Sequence, residues 1–100
     1  MLVRIWRTTF DLSGKNKLID YANRVSLPVL LTRPGNRGVL FYSADNQWTT
    51  LTVWDSQESI DRLSIDPEYS TIVEGIKSLN VLGGAQKTTV MSCHGGVIGK

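Results

Sequence analysis

Little in this chain invites covalent or charge-based chemistry. It has a single cysteine, Cys93, a single histidine, His94, and three prolines in 100 residues. One cysteine forms no internal disulfide, so the fold rests on packing alone. No apolar run is long enough to span a bilayer, which excludes a membrane-spanning helix. Charge of one sign is also missing. Eleven basic residues face nine acidic ones, for a formal net charge of +2. No stretch gathers Lys and Arg as a phosphate-tracking groove requires, which argues against nucleic acid. Nucleotide-binding motifs are absent: there is no G-x-G-x-x-G and no G-x-x-x-x-G-K-[ST]. There is no internal repeat and no low-complexity segment. The opening residues Met1-Leu2-Val3-Arg4-Ile5-Trp6-Arg7 carry charges where a signal peptide needs an apolar core, so a cytoplasmic location is the expectation.

What remains is an ordinary globular composition, 41% hydrophobic and 20% charged, of single-domain length. Residues 2–10 are β-branched and aromatic, with turn formers behind them, and read as a strand. One face carries Val3, Ile5, Arg7 and Thr9. The other carries Leu2, Arg4, Trp6, Thr8 and Phe10. Residues 14–26 place Leu18, Tyr21, Ala22 and Val25 at helical spacing. Pro28 is expected to interrupt that helix, Ser26 to cap a further turn or two, and Pro34-Gly35 to end it. Residues 38–44 and 47–54 read as a hairpin around Asp45-Asn46. Asp55 or Ser56 is expected to cap a short helix with Ile60 and Leu63 buried, with Glu58 completing a capping box. Asp66-Pro67 opens a second helix whose Tyr69, Ile72, Val73 and Ile76 form an apolar stripe. Gly83-Gly84 is expected to break the chain before a last strand from Gln86 to His94.

The order β-α-β-β-α-β is the ferredoxin-like α+β pattern, an antiparallel sheet with helices on one face. The domain is expected to occupy residues 1–94, with a flexible glycine-rich tail over residues 95–100. The second sheet face carries apolar residues in several strands. An uncovered apolar face marks an interaction surface, and a homodimer through that face is the expectation.

Four passages, in order, resemble the antibiotic-biosynthesis monooxygenase family. They are the opening strand Val3-Arg4-Ile5-Trp6-Arg7; Leu27-Pro28 followed by Pro34-Gly35-Asn36-Arg37-Gly38; Leu51-Thr52-Val53-Trp54-Asp55-Ser56; and Ser64-Ile65-Asp66-Pro67-Glu68-Tyr69. Together they cover nearly the whole chain. The resemblance implies a dimeric α/β barrel and a cavity between sheet and helices. It also implies a cofactor-independent monooxygenase acting on a small electron-rich aromatic, such as a quinol or polyphenol, with molecular oxygen. The alternative is a non-catalytic dimeric module of the same fold that binds a small molecule or a partner. Haem-degrading members of the family carry an asparagine on strand one; this chain has none there.

Candidate site residues follow from chemistry and position. Trp6 and Trp54 are candidates for substrate binding: the resemblance puts a tryptophan in the pocket at Trp54, and the alternative is a core tryptophan under the helix. Trp6 shares its face with Arg4, a pairing suited to a phenolate; the alternative is a core or interface residue with Arg4 bound to a carboxylate. Trp48 reads as structural or interfacial. Candidates for catalysis are His94, Tyr69 and Arg4. His94, the one imidazole of the chain, could act as a general base; its place beside the glycine-rich tail favours a plain solvent-exposed residue instead. Tyr69 could orient a substrate oxygen or serve as a core tyrosine. Cys93 adjoins His94 but alternates to the opposite face, and reads as a small buried apolar residue. One histidine with no partner makes no metal site, so no metal and no cofactor are expected.

Overall fold

The structure is a computed structural model and describes residues 1–97. Of the tail expected over residues 95–100, residues 98–100 lie outside the described residues. The strands are β1 (Leu2–Phe10), β2 (Asn36–Ala44), β3 (Gln47–Trp54) and β4 (Leu82–Ser92). They form one sheet in the order β2-β3-β1-β4, with every neighbouring pair antiparallel. The helices pack on one face, so the fold is ferredoxin-like α+β. No helix among the described residues is long and apolar enough to cross a membrane.

The first helical passage is continuous where an interruption was expected. It runs through α1 (Lys15–Tyr21), a π-type turn (Ala22–Ser26) and α2 (Leu27–Leu31). Pro28 has no N–H to give and its ring crowds the preceding turn. The wider turn absorbs that ring: Leu27 N–H reaches back to Ala22 C=O, one residue further than an α-helix would take it. Ser26 therefore has helical dihedrals and makes no side-chain cap. Beyond Leu31, Gly35 sits at φ +85° with its Cα hydrogen against the Asp55 and Ser59 side chains, a turn that needs glycine.

The hairpin forms as expected, with Asp45 at φ 51° in the turn and Ala44 opposite Gln47. After β3, the Ser56 hydroxyl oxygen accepts from Ser59 N–H and caps α3 (Gln57–Asp61). Glu58 does not close a box with Asp55; it pairs with Arg62 at 2.6 Å. A 3-10 turn over Arg62–Ile65 leads to α4 (Pro67–Ser78), where Asp66 accepts from Glu68 and Tyr69 N–H and Pro67 fills the first turn.

The largest departure is at Gly83-Gly84, which lie inside β4. The chain turns earlier, at Asn80 (φ 58°), and the strand is already paired at Leu82, opposite Phe10. Gly83 stands there because Thr9 leaves no room for a side chain: an added Cβ would sit 3.0 Å from Thr9 Cβ and 3.2 Å from its carbonyl oxygen. The strand ends at Ser92, so Cys93 and His94 lie beyond it. Cys93 still gives its N–H to Met1 C=O, but its side chain is half-buried rather than buried.

Between sheet and helices lie two packed clusters. Phe10, Leu18, Ala22, Trp48 and Val81 form one, and Trp54, Ile60 and Leu63 form the other. Among the described residues no helix covers the opposite sheet face. In register across it stand Leu40, Leu51 and Ile5, then Val53, Val3 and Met91. Leu40 is 40% exposed, Tyr42 42% and Met91 46%. This is a contiguous apolar surface in a single chain.

Candidate functional site

Between the two clusters the layers do not close. Even-numbered residues of β1 and their cross-strand partners face the helices, and Arg4, Trp6, Thr50 and Thr52 floor a cavity of about 170 Å³. Helix α4 forms one wall with Tyr69, Ile72, Val73 and Ile76. Ala22, Ser26 and Leu30 of the first helical passage contribute another, and Phe41 and Trp48 the end of the hairpin side. The π-type turn matters here, because it sets Ala22 and Ser26 toward the cavity. On the β4 side, Gln86 and Thr88 line the space yet remain exposed, so the cavity opens along that edge strand.

Arg4 is the chief charge of this floor. Its Nη2 donates to the Tyr69 hydroxyl oxygen at 3.2 Å, and its guanidinium carbon lies 5.9 Å from the centre of the Tyr69 ring. Ion pairs among the described residues engage Arg24, Arg33 and Arg62, and none engages Arg4. Among the described residues no acidic side chain lines the cavity. A half-buried cation without a counter-charge, in a space of low polarity, is a place for an anion. The Tyr69 oxygen accepts from Arg4, which leaves its own hydrogen to give to a bound oxygen.

The aromatic walls are rigidly held. Trp48 packs edge-on to Phe10 at 6.3 Å between centroids and tilts over Phe41 at 5.8 Å. Its indole N–H donates to Thr50 Oγ1 at 3.1 Å. Trp54 does the same one pair of residues along, donating to Thr52 Oγ1 at 2.7 Å. Both threonines line the cavity, so each tryptophan anchors a residue of its floor.

The structure brings Arg4, Trp6 and Tyr69 together around one space. Trp54 stands apart from it. Its ring is 0% exposed, packed with Ile60 and Leu63, and it meets the cavity only through Thr52. His94 is exposed beyond the end of β4 and does not line the cavity. Among the described residues no group of three or more His, Cys, Asp or Glu side chains could hold a metal ion. Sequence reasoning missed Phe41, Thr50, Thr52 and Lys77 as lining residues, and Trp48 as a cavity wall. The alternation already present in the hairpin would have found most of them: once Asp45-Asn46 is the turn, Phe41 must face Thr50, on the same side as Trp48 and Thr52.

No family model matches the chain, and no curated protein matches it. Solved structures do. A monooxygenase of Streptomyces coelicolor in complex with nanaomycin D superposes with a TM-score of 0.81 at 18% identity, over 99% of this chain and 92% of that one. The oxygenase SnoaB of Streptomyces nogalater, described as cofactor-independent, gives 0.76 at 10% identity, over 96% and 95%. A further protein described as an antibiotic biosynthesis monooxygenase gives 0.75 at 9% identity, over 95% and 100%. At these identities the likeness is one of fold: the chain has the fold of the antibiotic biosynthesis monooxygenases.

Proposed function

We propose that this protein is a monooxygenase that needs no resident cofactor and oxidises a small electron-rich aromatic, of quinol or polyphenol type, with molecular oxygen. The observation that carries this reading is Arg4, a half-buried guanidinium with no carboxylate partner among the described residues, set beside the Tyr69 hydroxyl in an aromatic-walled cavity. A phenolic oxygen placed there faces a cation, which favours its ionised form. The Tyr69 hydrogen supplies a second contact. The apolar walls lower the local polarity and strengthen both.

The chemistry then belongs to the substrate. A quinol anion gives one electron to oxygen, the resulting radical and superoxide join through a new C–O bond, and the O–O bond breaks as water leaves. Hydroquinone plus oxygen gives hydroxyquinone plus water, and the ring supplies all four electrons. The fold shared with oxygenases supports this reading. So does the size: an apolar cavity of about 150 Å³ holds benzene, so 170 Å³ with an open edge takes a one- or two-ring aromatic.

An oxygen electrode with a panel of quinols tests it. Uptake above the uncatalysed rate is expected, and Arg4→Gln should lower it about a hundredfold, the usual cost of one charge-stabilising donor. A wild-type rate equal to the blank across the panel would end the proposal. A second reading, a binding module without turnover, is favoured by one observation: Trp54 is wholly committed to packing and to Thr52. It predicts tight anaerobic binding of the same aromatics with no oxygen uptake.

We also infer that two copies pair through the helix-free sheet face, where Leu40, Tyr42 and Met91 would otherwise meet water. This leaves the cavity, on the other face, free in each copy.

A further inference from the structure

We propose that the occupant of the cavity is a hydroxyaryl acid, its phenolic oxygen at Arg4 and Tyr69 and its carboxylate at Lys77. The inference rests on reading the cavity as the functional site and adds the class of ligand. Helix α4 runs in the same direction as β1. At its start Tyr69 meets Arg4, and just past its end Val81 C=O accepts from Asp11 N–H, beside the end of β1. Lys77 therefore lies at the far end of the cavity, near Leu82 and Gln86, which pair with Phe10 and Thr8.

Tyr69 and Lys77 are eight positions apart on one helix, which is about 12 Å along its axis. Arg4 and Thr8, four positions apart on the floor strand, span about 13 Å. The two measures agree: the cavity has a cation at each end and apolar walls between. Lys77, like Arg4, has no ion-pair partner among the described residues, and no acidic side chain lines the space. A neutral quinol uses only one of these ends. A ligand with an ionisable phenol at one end and a carboxylate at the other uses both, and the exposed Gln86 amide and Thr88 hydroxyl beside the opening can donate to the same carboxylate.

Titration calorimetry under anaerobic conditions tests the assignment. The probes are 6-hydroxy-2-naphthoate and its neutral amide, 6-hydroxy-2-naphthamide. The acid should bind the wild-type chain about tenfold more tightly than the amide. Lys77→Gln is a surface change that should leave the circular dichroism spectrum unaltered. It should weaken the acid about fivefold, as loss of a partly exposed ion pair does, with little effect on the amide. Lys77→Arg should keep the preference. Equal wild-type affinities, an equal loss of acid and amide on Lys77→Gln, or no measurable binding of either probe would each overturn it. Anaerobic binding is blind to turnover. Failure of the acid preference therefore leaves the oxygenase reading standing, and failure of oxygen uptake leaves the preference standing.

Discussion

Replacing Trp54 by phenylalanine separates a tryptophan that builds the site from one that touches the ligand. The phenyl ring keeps much of the packing on Ile60 and Leu63. It removes the N–H that donates to Thr52 Oγ1 at 2.7 Å, a fully buried bond. A net hydrogen bond is worth about 1 kcal/mol, and a buried oxygen left without its donor costs about 1–3 kcal/mol. Thr52 is 1% exposed, and among the described residues its hydroxyl makes one other bond, a long one of 3.4 Å to Arg4 C=O. The expected loss is therefore about 2 kcal/mol, a sizeable part of the roughly 5–15 kcal/mol that holds a domain folded. In urea, with a slope of about 1–3 kcal/mol per molar, the midpoint should fall by about 1 M at unchanged slope. Affinity for 6-hydroxy-2-naphthoate, measured alongside, should change by less than about threefold, because Trp54 reaches the cavity only through Thr52. An unchanged midpoint would refute the buried bond. An unchanged midpoint with a tenfold or greater loss of affinity would show Trp54 in contact with ligand.

Three further outcomes follow from the same geometry. Gly83→Ala should destabilise the fold by about 1–3 kcal/mol in thermal or urea unfolding, since the new methyl must push against Thr9; a neutral result would refute the close approach. The Asp66 carboxyl is held below its ordinary value of 3.8, first by the Arg33 guanidinium and also by the N–H groups of Tyr69 and Glu68. A lowered folded value means that the stabilisation is complete above about pH 4 and is lost as pH falls through that lower value; melting temperature followed from pH 6 to pH 2 should drop on this acid limb, and Asp66→Asn should flatten it. Light scattering at micromolar concentration should give a mass of about two chains, and Leu51→Lys, at the centre of the helix-free face, should give about one; a single-chain mass for the wild type would refute pairing through that face.

The strands β1, β2 and β3 were readable because their signals are local. A β-branched run, a two-residue turn and alternation mark the strands and the residues that share a face, although β2 starts at Asn36, two residues ahead of the expected Gly38, and which face lines the cavity is set by where the helices pack. The same holds for α4, where Asp66, Pro67 and an i, i+3, i+4, i+7 stripe coincide. The misreadings arise where tertiary contact overrides a local breaker. Pro28 marks an interruption in sequence, yet the backbone widened by one residue and carried the helix through. Gly83-Gly84 looks like a turn, yet Thr9 on the neighbouring strand needs the room. The site divides the same way. Arg4, Trp6 and Tyr69 were nameable from their faces and residue types. That Trp54 is sealed under Ile60 and Leu63, and that Lys77 completes the far end, depends on how deeply α3 and α4 seat on the sheet. Nothing in the spacing of the chain encodes that depth.

The most direct test of a functional cavity is oxygen consumption by the purified full chain with a quinol panel, with and without Arg4→Gln. Uptake well above the uncatalysed rate, falling about a hundredfold in the variant while the fold is retained, is the expected result. Uptake indistinguishable from the blank for the wild type, or uptake that is unaffected by Arg4→Gln, would contradict it.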